Sequence, residues 1–246
     1  VAAHSVEFET CFNFRDLGGY PAADGRRVQP GRVFRSGSLQ WLAPADLKRL
    51  HSLGVKTVVD LRSSAEVARG AAQIGSGGRI ALRHAPLFEE DALPFTWAQA
   101  DDPEPPPGQS YLAIAAVGTN GIACALRTIA TDPHAVVVQC AAGRDRTGIV
   151  SALLLAALGI PDDEIAADYE LSNHSFGPWM TWAKANVPDI AAEVAAFPPW
   201  LVQANPVVMA AFLDGLRERH GSIDGFLSGI GVDQAVITML RDRLLD

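Results

Sequence analysis

Lysine is nearly absent from this chain: three residues stand against seventeen arginines among 246, and the acidic residues bring the net charge to −8. A surface so short of positive charge argues against a nucleic-acid partner, because a phosphate backbone needs a broad basic face. A small phosphate stays compatible, since a local pair such as Arg144 and Arg146 can oppose the global sign. Cysteine is scarce as well. Three cysteines, an odd number without close spacing, argue against a disulfide framework, and the six scattered histidines make no zinc pattern with them. No metal or cofactor is therefore expected. Long apolar runs are also missing. The longest, Ile149 to Ile160, is too short to cross a bilayer and reads as a buried helix, so no integral membrane segment is expected. No secretory pattern opens the chain, which begins at Val1, and the expected location is cytoplasmic or secreted after trimming.

What is present is concentrated in one segment. Ala135-Val136-Val137-Val138-Gln139 reads as a buried strand, Cys140 ends it, and Ala141 to Arg146 form a loop containing Gly143. Thr147-Gly148 and an apolar helix from Ile149 to Leu158 follow at once. That order places a thiol and several backbone N–H groups at a helix N-terminus, where anions bind and thiolates are stabilised. Arg146, six residues after the cysteine, can grip two phosphate oxygens through its planar fork. The spacing alone is weak, and a free cysteine is most often a small buried hydrophobe. Context separates Cys140 from Cys11 and Cys124, which have Leu17 and Ala130 where an arginine is needed.

Elsewhere the chain alternates strands and helices. Arg32–Arg35, Val55–Leu61 and Ile80–Leu87 read as strands, and Pro44–Leu53 as a helix ended by Gly54. Ser64 is the expected cap of a short helix through Arg69. Residues 89–108 break the pattern with acidic residues, four prolines between 103 and 107, and the aromatics Phe95 and Trp97. An acidic lid over a site and a solvated surface loop are both open readings of that stretch. Helices are expected near Tyr111–Val117, Ile122–Thr131, Ser175–Asn186, Asp189–Ala196, Pro206–His220 and Val232–Leu245. The pattern predicts an α/β fold, a mainly parallel central sheet flanked by helices, with additional C-terminal helices. A single domain over 1–246 is expected, with a core at about 10–172 and a helical part at about 173–246. Ligands of such sheets bind beyond the carboxyl ends of the strands. Cys140, Asp60 and the acidic loop all fall there.

Four ordered motifs carry a resemblance. They are Asn13-Phe14-Arg15-Asp16-Leu17-Gly18-Gly19, Arg35-Ser36-Gly37, Val59-Asp60-Leu61-Arg62-Ser63 and Cys140 to Gly148. With Ala167 to Asn173 and Gly221 to Leu227, they resemble the bacterial tyrosine phosphatases related to mycobacterial protein tyrosine phosphatase B. The resemblance implies a cysteine-phosphatase-like fold and hydrolysis of phosphotyrosine, with phosphoserine, phosphothreonine and phosphoinositides as further substrates. The implied partner is a phosphorylated protein or phosphoinositide. Gln139 stands where that family usually has histidine, which implies a less depressed thiol pKa and modest activity; Arg144 stands where it usually has lysine. The 89–120 region is the weakest part of the match.

Cys140 is the expected nucleophile, forming a phosphocysteine, and Arg146 the residue on the equatorial oxygens. The backbone from Ala141, Ala142, Gly143 and Arg144 to Arg146 would complete the cradle. Arg144 adds a cation at the mouth, and Thr147 either donates to the sulfur or caps the helix. The leaving oxygen needs a proton. Asp145, the Glu89–Asp91 segment (Glu89 and Asp91 foremost) and Asp60 are the candidates, with the segment preferred over Asp145. Arg15 and Asp16 read as scaffold residues, and Trp179, Trp182 and Trp200 as packing anchors. Two other functions fit the loop chemistry: a phosphate-binding module without turnover and a rhodanese-like sulfurtransferase.

Overall fold

The computed structural model describes residues 5–70, 74, 80–89 and 104–246. Glu90, Asp91, Phe95 and Trp97 lie outside the described residues. Among the described residues, five strands form one sheet: β1 (Arg15–Asp16), β2 (Val33–Ser36), β3 (Val55–Asp60), β4 (Ala81–His84) and β5 (Ala135–Gln139). Their order is β1-β2-β5-β3-β4. β2, β5, β3 and β4 run parallel, and β1 pairs antiparallel with β2. The expected α/β architecture with a mainly parallel sheet is thus the observed one.

The central strands are buried on both faces, which is why they read as β-branched runs rather than as alternating ones. Successive side chains feed two cores. Val33, Val59, Val136 and Val138 join the larger cluster, while Phe34, Val58 and Val137 join the smaller one on the opposite face. The register aligns Ser36, Gln139 and Asp60 across β2, β5 and β3, so the carboxyl ends of three strands finish level, one residue before Cys140.

Helices surround this sheet: α1 (Pro44–Ser52), α2 (Ser64–Arg69), α3 (Gln109–Val117), α4 (Thr119–Thr131), α5 (Asp145–Ala157) and α6 (Asp162–Glu170). A 3-10 turn over Leu171–Ser175 leads to α7 (Phe176–Asn186), α8 (Pro188–Ala195), α9 (Pro199–Val202), α10 (Pro206–His220), α11 (Ile223–Gly229) and α12 (Gln234–Leu244). α5 is buried on nearly all sides, as the apolar run after its first turn requires. The tail is continuous with it: Met209, Phe212, Leu213, Leu227, Ile237 and Leu240 join the larger core. α7 and α8 differ, burying only Ala183 and Ala191 respectively. Among the described residues no single helix is long and apolar enough to cross a membrane.

Three local expectations change, and one short strand is new. The cap of α2 is Ser63, not Ser64: Glu66 N–H donates to Ser63 Oγ at 3.2 Å and Ser63 N–H to a Glu66 carboxylate oxygen at 2.8 Å. That reciprocal box needs Glu three residues after the cap, and Ser64 has Val67 there. The strand expected over Ile80–Leu87 ends at His84, two residues before Pro86, which has no N–H to give a ladder. The helix expected from Ile149 begins four residues earlier at Asp145, where its first turn is too polar to register in an apolar pattern. β1 is two residues long, below any periodic signal.

Candidate active site

Cys140 follows β5 directly and is 1% exposed. The loop after it owes its shape to partners that hold its carbonyls. Ala141 O accepts from Ser38 N–H at 2.9 Å, Ala142 O from the Asn13 side-chain amide at 3.0 Å, and Gly143 O from Arg35 Nη2 at 2.9 Å. Three successive carbonyls are held by the protein, while the N–H groups of residues 141–144 donate to no acceptor among the described residues. Such unspent donors make an anion-binding nest. They adjoin the N-terminus of α5, which has no side-chain cap. Gly143 sits at φ 69°, and a Cβ there would run into the backbone of Ser36 and Gly37. Only glycine lets the loop lie this close to the end of β2.

The holders are themselves held. Asp168 on α6 accepts from Arg15 Nε at 2.9 Å and Tyr20 Oη at 3.0 Å, and also pairs with Arg35 Nη1. Arg15 in turn bonds Asn13, the residue on Ala142 O, which takes the left-handed φ of 59°. Burial pushes the Asp168 carboxyl up, but the charges of Arg15 and Arg35 and the bonds from Arg15 and Tyr20 prevail, leaving it at about 2. Asp16, by contrast, closes a turn, accepting from Gly18 N–H at 2.8 Å and Gly31 N–H at 2.5 Å. Gln139 Oε1 accepts from Leu39 N–H at 2.7 Å, tying the strand end to the segment that carries Ser38.

Arg146 is 6% exposed and lies in the first turn of α5. Its Nη1 and Nη2 both donate to Glu66 of α2, Nη2 at 2.8 Å, and its guanidinium carbon lies 4.9 Å from the Phe88 ring centroid. Arg144 is not a free cation at the mouth. Its Nε and Nη2 each reach Asp145 at 3.0 Å, and Nη2 also bonds Leu201 O. Asp145 further accepts from Tyr111 Oη at 2.6 Å, and Tyr111 contacts Tyr169 Oη at 2.6 Å. Burial pushes the Asp145 carboxyl up, yet the adjacent Arg144 charge and the Arg144 and Tyr111 hydrogen bonds leave it net below the usual carboxylate range.

The remaining acid candidates within the described residues have other partners. Asp60 is gripped by Arg62, Nη2 to Oδ2 at 2.7 Å and Nε to Oδ1 at 3.0 Å. Both Glu89 oxygens accept from Ser64, one from N–H and one from Oγ, each at 2.8 Å. Asp91 lies outside the described residues. Thr147 Oγ1 is buried without a hydrogen-bond partner among the described residues. Trp182 on α7 packs against Phe12 and Trp41, with ring centroids 5.7 and 5.2 Å away, so α7 bears on the rim beside Asn13. Trp179 stacks on Phe176 of the same helix.

Sequence reasoning singled out Cys140, Arg146, Arg144 and Asp145, and these are neighbours here. It missed Glu66, Asp168 as the hub for two arginines, and Tyr111 with Tyr169. Ser63-x-x-Glu66 is a legible capping box, but nothing in it points to an arginine 80 residues away.

A deeply placed thiol, unspent loop donors and a buried arginine at the carboxyl end of a parallel sheet define the class of cysteine-dependent phosphatases. A sequence model described as the tyrosine phosphatase family matches residues 6–246, and the chain belongs to that family. A Cupriavidus necator protein described as a candidate tyrosine-protein phosphatase is 32% identical over 230 residues, covering 91% of this chain and 83% of that one. The triple specificity protein phosphatase PtpB of Mycobacterium tuberculosis is 32% identical over 275 residues, 97% of this chain and 98% of that protein. A tyrosine-protein phosphatase of Nostoc commune is 27% identical over 91% of this chain and 78% of its own length.

Proposed function

We propose that this tyrosine phosphatase hydrolyses phosphotyrosine in proteins by attack of Cys140 on phosphorus, with one proton handled by Asp145. The observation that carries the reading is the set of three loop carbonyls bound from outside beside unspent N–H groups. The Cys140 thiolate attacks phosphorus, the P–O bond to the tyrosine oxygen breaks, and phosphocysteine forms. The N–H groups of 141–144 and the Nε edge of Arg146 receive the three equatorial oxygens, whose charge is greatest in the transition state. Water then attacks phosphorus, the S–P bond breaks, and phosphate leaves with the thiolate restored.

Asp145 adjoins Arg146 and is held low by Arg144, so it is an anion in the free enzyme. The reactive proton therefore enters on the substrate monoanion, whose second pKa is about 6, and passes through Asp145 to the leaving oxygen. In the second step the same carboxylate takes a proton from the attacking water. Glu89 holds the start of α2 through Ser64, whereas Asp145 stands beside Arg146 in the loop itself. Because Arg144 is neutralised by Asp145, phosphotyrosine is favoured here over a multiply charged phosphoinositide. Phosphoserine and phosphothreonine, with poorer leaving groups, are secondary substrates.

The test is hydrolysis of aryl and alkyl phosphates by wild type, Cys140→Ser, Asp145→Asn and Asp91→Asn. Cys140→Ser abolishes turnover. Asp145→Asn spares a nitrophenyl ester, which leaves without a proton, far more than an alkyl ester. That contrast appearing in Asp91→Asn instead would move the proton to Asp91, and no phosphate release by the wild type would overturn the whole reading.

A further inference from the structure

Arginine donates five hydrogen bonds from a rigid plane, so a phosphate-binding arginine must have that plane fixed before substrate arrives. In this chain two groups from different elements fix it. Phe88, just beyond β4, lies under the guanidinium and sets its tilt. Glu66 takes the outer end: Nη1 donates to Oε2 and Nη2 to Oε1, which fixes rotation within the plane. Nε and the second Nη2 hydrogen make up the edge that remains for ligand, and Nε has no partner among the described residues.

Glu66 is itself anchored by Ser63. Its Oε2 also accepts from Ser63 N–H at 2.8 Å, and its own N–H is bound by Ser63 Oγ. One residue after the cap, Ser64 is clasped by Glu89 through N–H and Oγ, tying the start of α2 to the segment that leaves Phe88. Glu66 and Phe88 therefore belong to one braced unit. A carboxylate beside the phosphate site costs binding of a dianion, so a residue serving only to cap α2 would more economically face solvent.

We infer that Glu66 is a positioning residue for catalysis, presenting the Nε edge of Arg146 to the equatorial oxygens, with Glu89 bracing the helix that carries it. The inference rests on the phosphatase reading above and adds to it a residue that touches no substrate. Burial pushes the Glu66 carboxyl up, but the Arg146 bond and charge and the Ser63 bonds outweigh it and leave it at about 2, so the pair stays charged across any working pH.

The experiment uses the full chain and four proteins: wild type, Glu66→Ala, Glu66→Gln and Ser63→Ala. Each is measured for kcat and KM on nitrophenyl phosphate, and for inhibition by inorganic phosphate and by vanadate. An unpositioned arginine loses more in the transition state than in the ground state. Glu66→Ala is expected to lower kcat by about tenfold to a hundredfold, to weaken vanadate by a similar factor, and to change phosphate inhibition by less than about threefold. Glu66→Gln, which can still accept at one oxygen, recovers part of kcat. Ser63→Ala breaks the cap but keeps the backbone donor to Glu66, so it lowers the melting temperature and leaves the ratio of vanadate to phosphate inhibition unchanged. Wild-type kcat and vanadate affinity in Glu66→Ala overturn the inference, as does a Ser63→Ala protein that reproduces its losses. A wild type that neither turns over nor binds vanadate overturns the phosphatase reading instead, and the inference with it.

Discussion

Replacing Asp168 by asparagine keeps its shape and removes one buried charge. Its carboxylate and the side chains of Arg15 and Arg35 are 1%, 5% and 1% exposed. In the variant two guanidiniums remain in the interior without their counter-charge, and breaking a buried pair in this way costs about 3–5 kcal/mol. Tyr20 keeps an acceptor in the asparagine oxygen, so no further penalty is added there. Against a typical stability of about 5–15 kcal/mol this is a large share. With an m-value of about 3 kcal/mol/M the urea midpoint falls by about 1–1.7 M. The pH dependence has a definite sign. The folded carboxyl titrates at about 2 against an ordinary 3.8, so its contribution is fully present above pH 3.8 and is lost as pH falls towards 2. Wild type and variant should therefore differ most near neutrality and converge in acid. Arg35→Met added to Asp168→Asn should regain part of the loss by removing one orphaned charge. Activity should fall as well, because Arg35 also holds Gly143 O. An Asp168→Asn protein within about 1 kcal/mol of wild type at pH 7, by urea unfolding at unchanged m, would refute the argument that this hub compensates two buried arginines.

Other perturbations test the loop and its neighbours. Gly143→Ala drives a methyl group into the backbone of Ser36 and Gly37 at a φ of 69°; aryl phosphate turnover should fall by at least about a hundredfold while far-UV circular dichroism stays native. Arg144→Gln removes the charge that, against burial, holds the Asp145 carboxyl down. The Asp145 pKa should rise, and the pH–rate profile of an alkyl phosphate should show an Asp145 limb displaced to higher pH. Trp182→Ala removes the ring that meets Phe12 and Trp41. Since α7 buries only Ala183, limited proteolysis within residues 176–195 should accelerate with the global urea midpoint barely changed.

Some of this protein is written locally in its chain. The β-branched runs at Val55–Asp60 and Ala135–Gln139 mark strands buried on both faces, because the sheet is covered on both sides. The loop from Cys140 to Arg146 is legible for a similar reason: thiol, glycine and arginine act within one turn of chain, so their spacing is their geometry. The motifs at Asn13-Phe14-Arg15, Arg35-Ser36-Gly37 and Asp168 could be recognised as belonging together, but not why. Their meaning is tertiary. Asn13 and Arg35 each hold one carbonyl of a loop more than 100 residues away, and Asp168 neutralises the arginines that do so.

The acid candidates show the same division. Chain position placed Asp60, Glu89 and Asp145 near the strand ends, and side-chain partners separated them: Arg62 grips Asp60, Ser64 occupies Glu89, and Arg144 with Tyr111 surrounds Asp145. Sequence alone singled out Cys140, its loop and the parallel sheet beneath it, because those depend on neighbours in the chain. Only the folded structure decided that Arg144 pairs with Asp145, and that Glu66 pairs with Arg146. Ion pairs form between whatever charges packing brings within about 4 Å, and that packing joins residues whose separation along the chain carries no periodic or compositional trace.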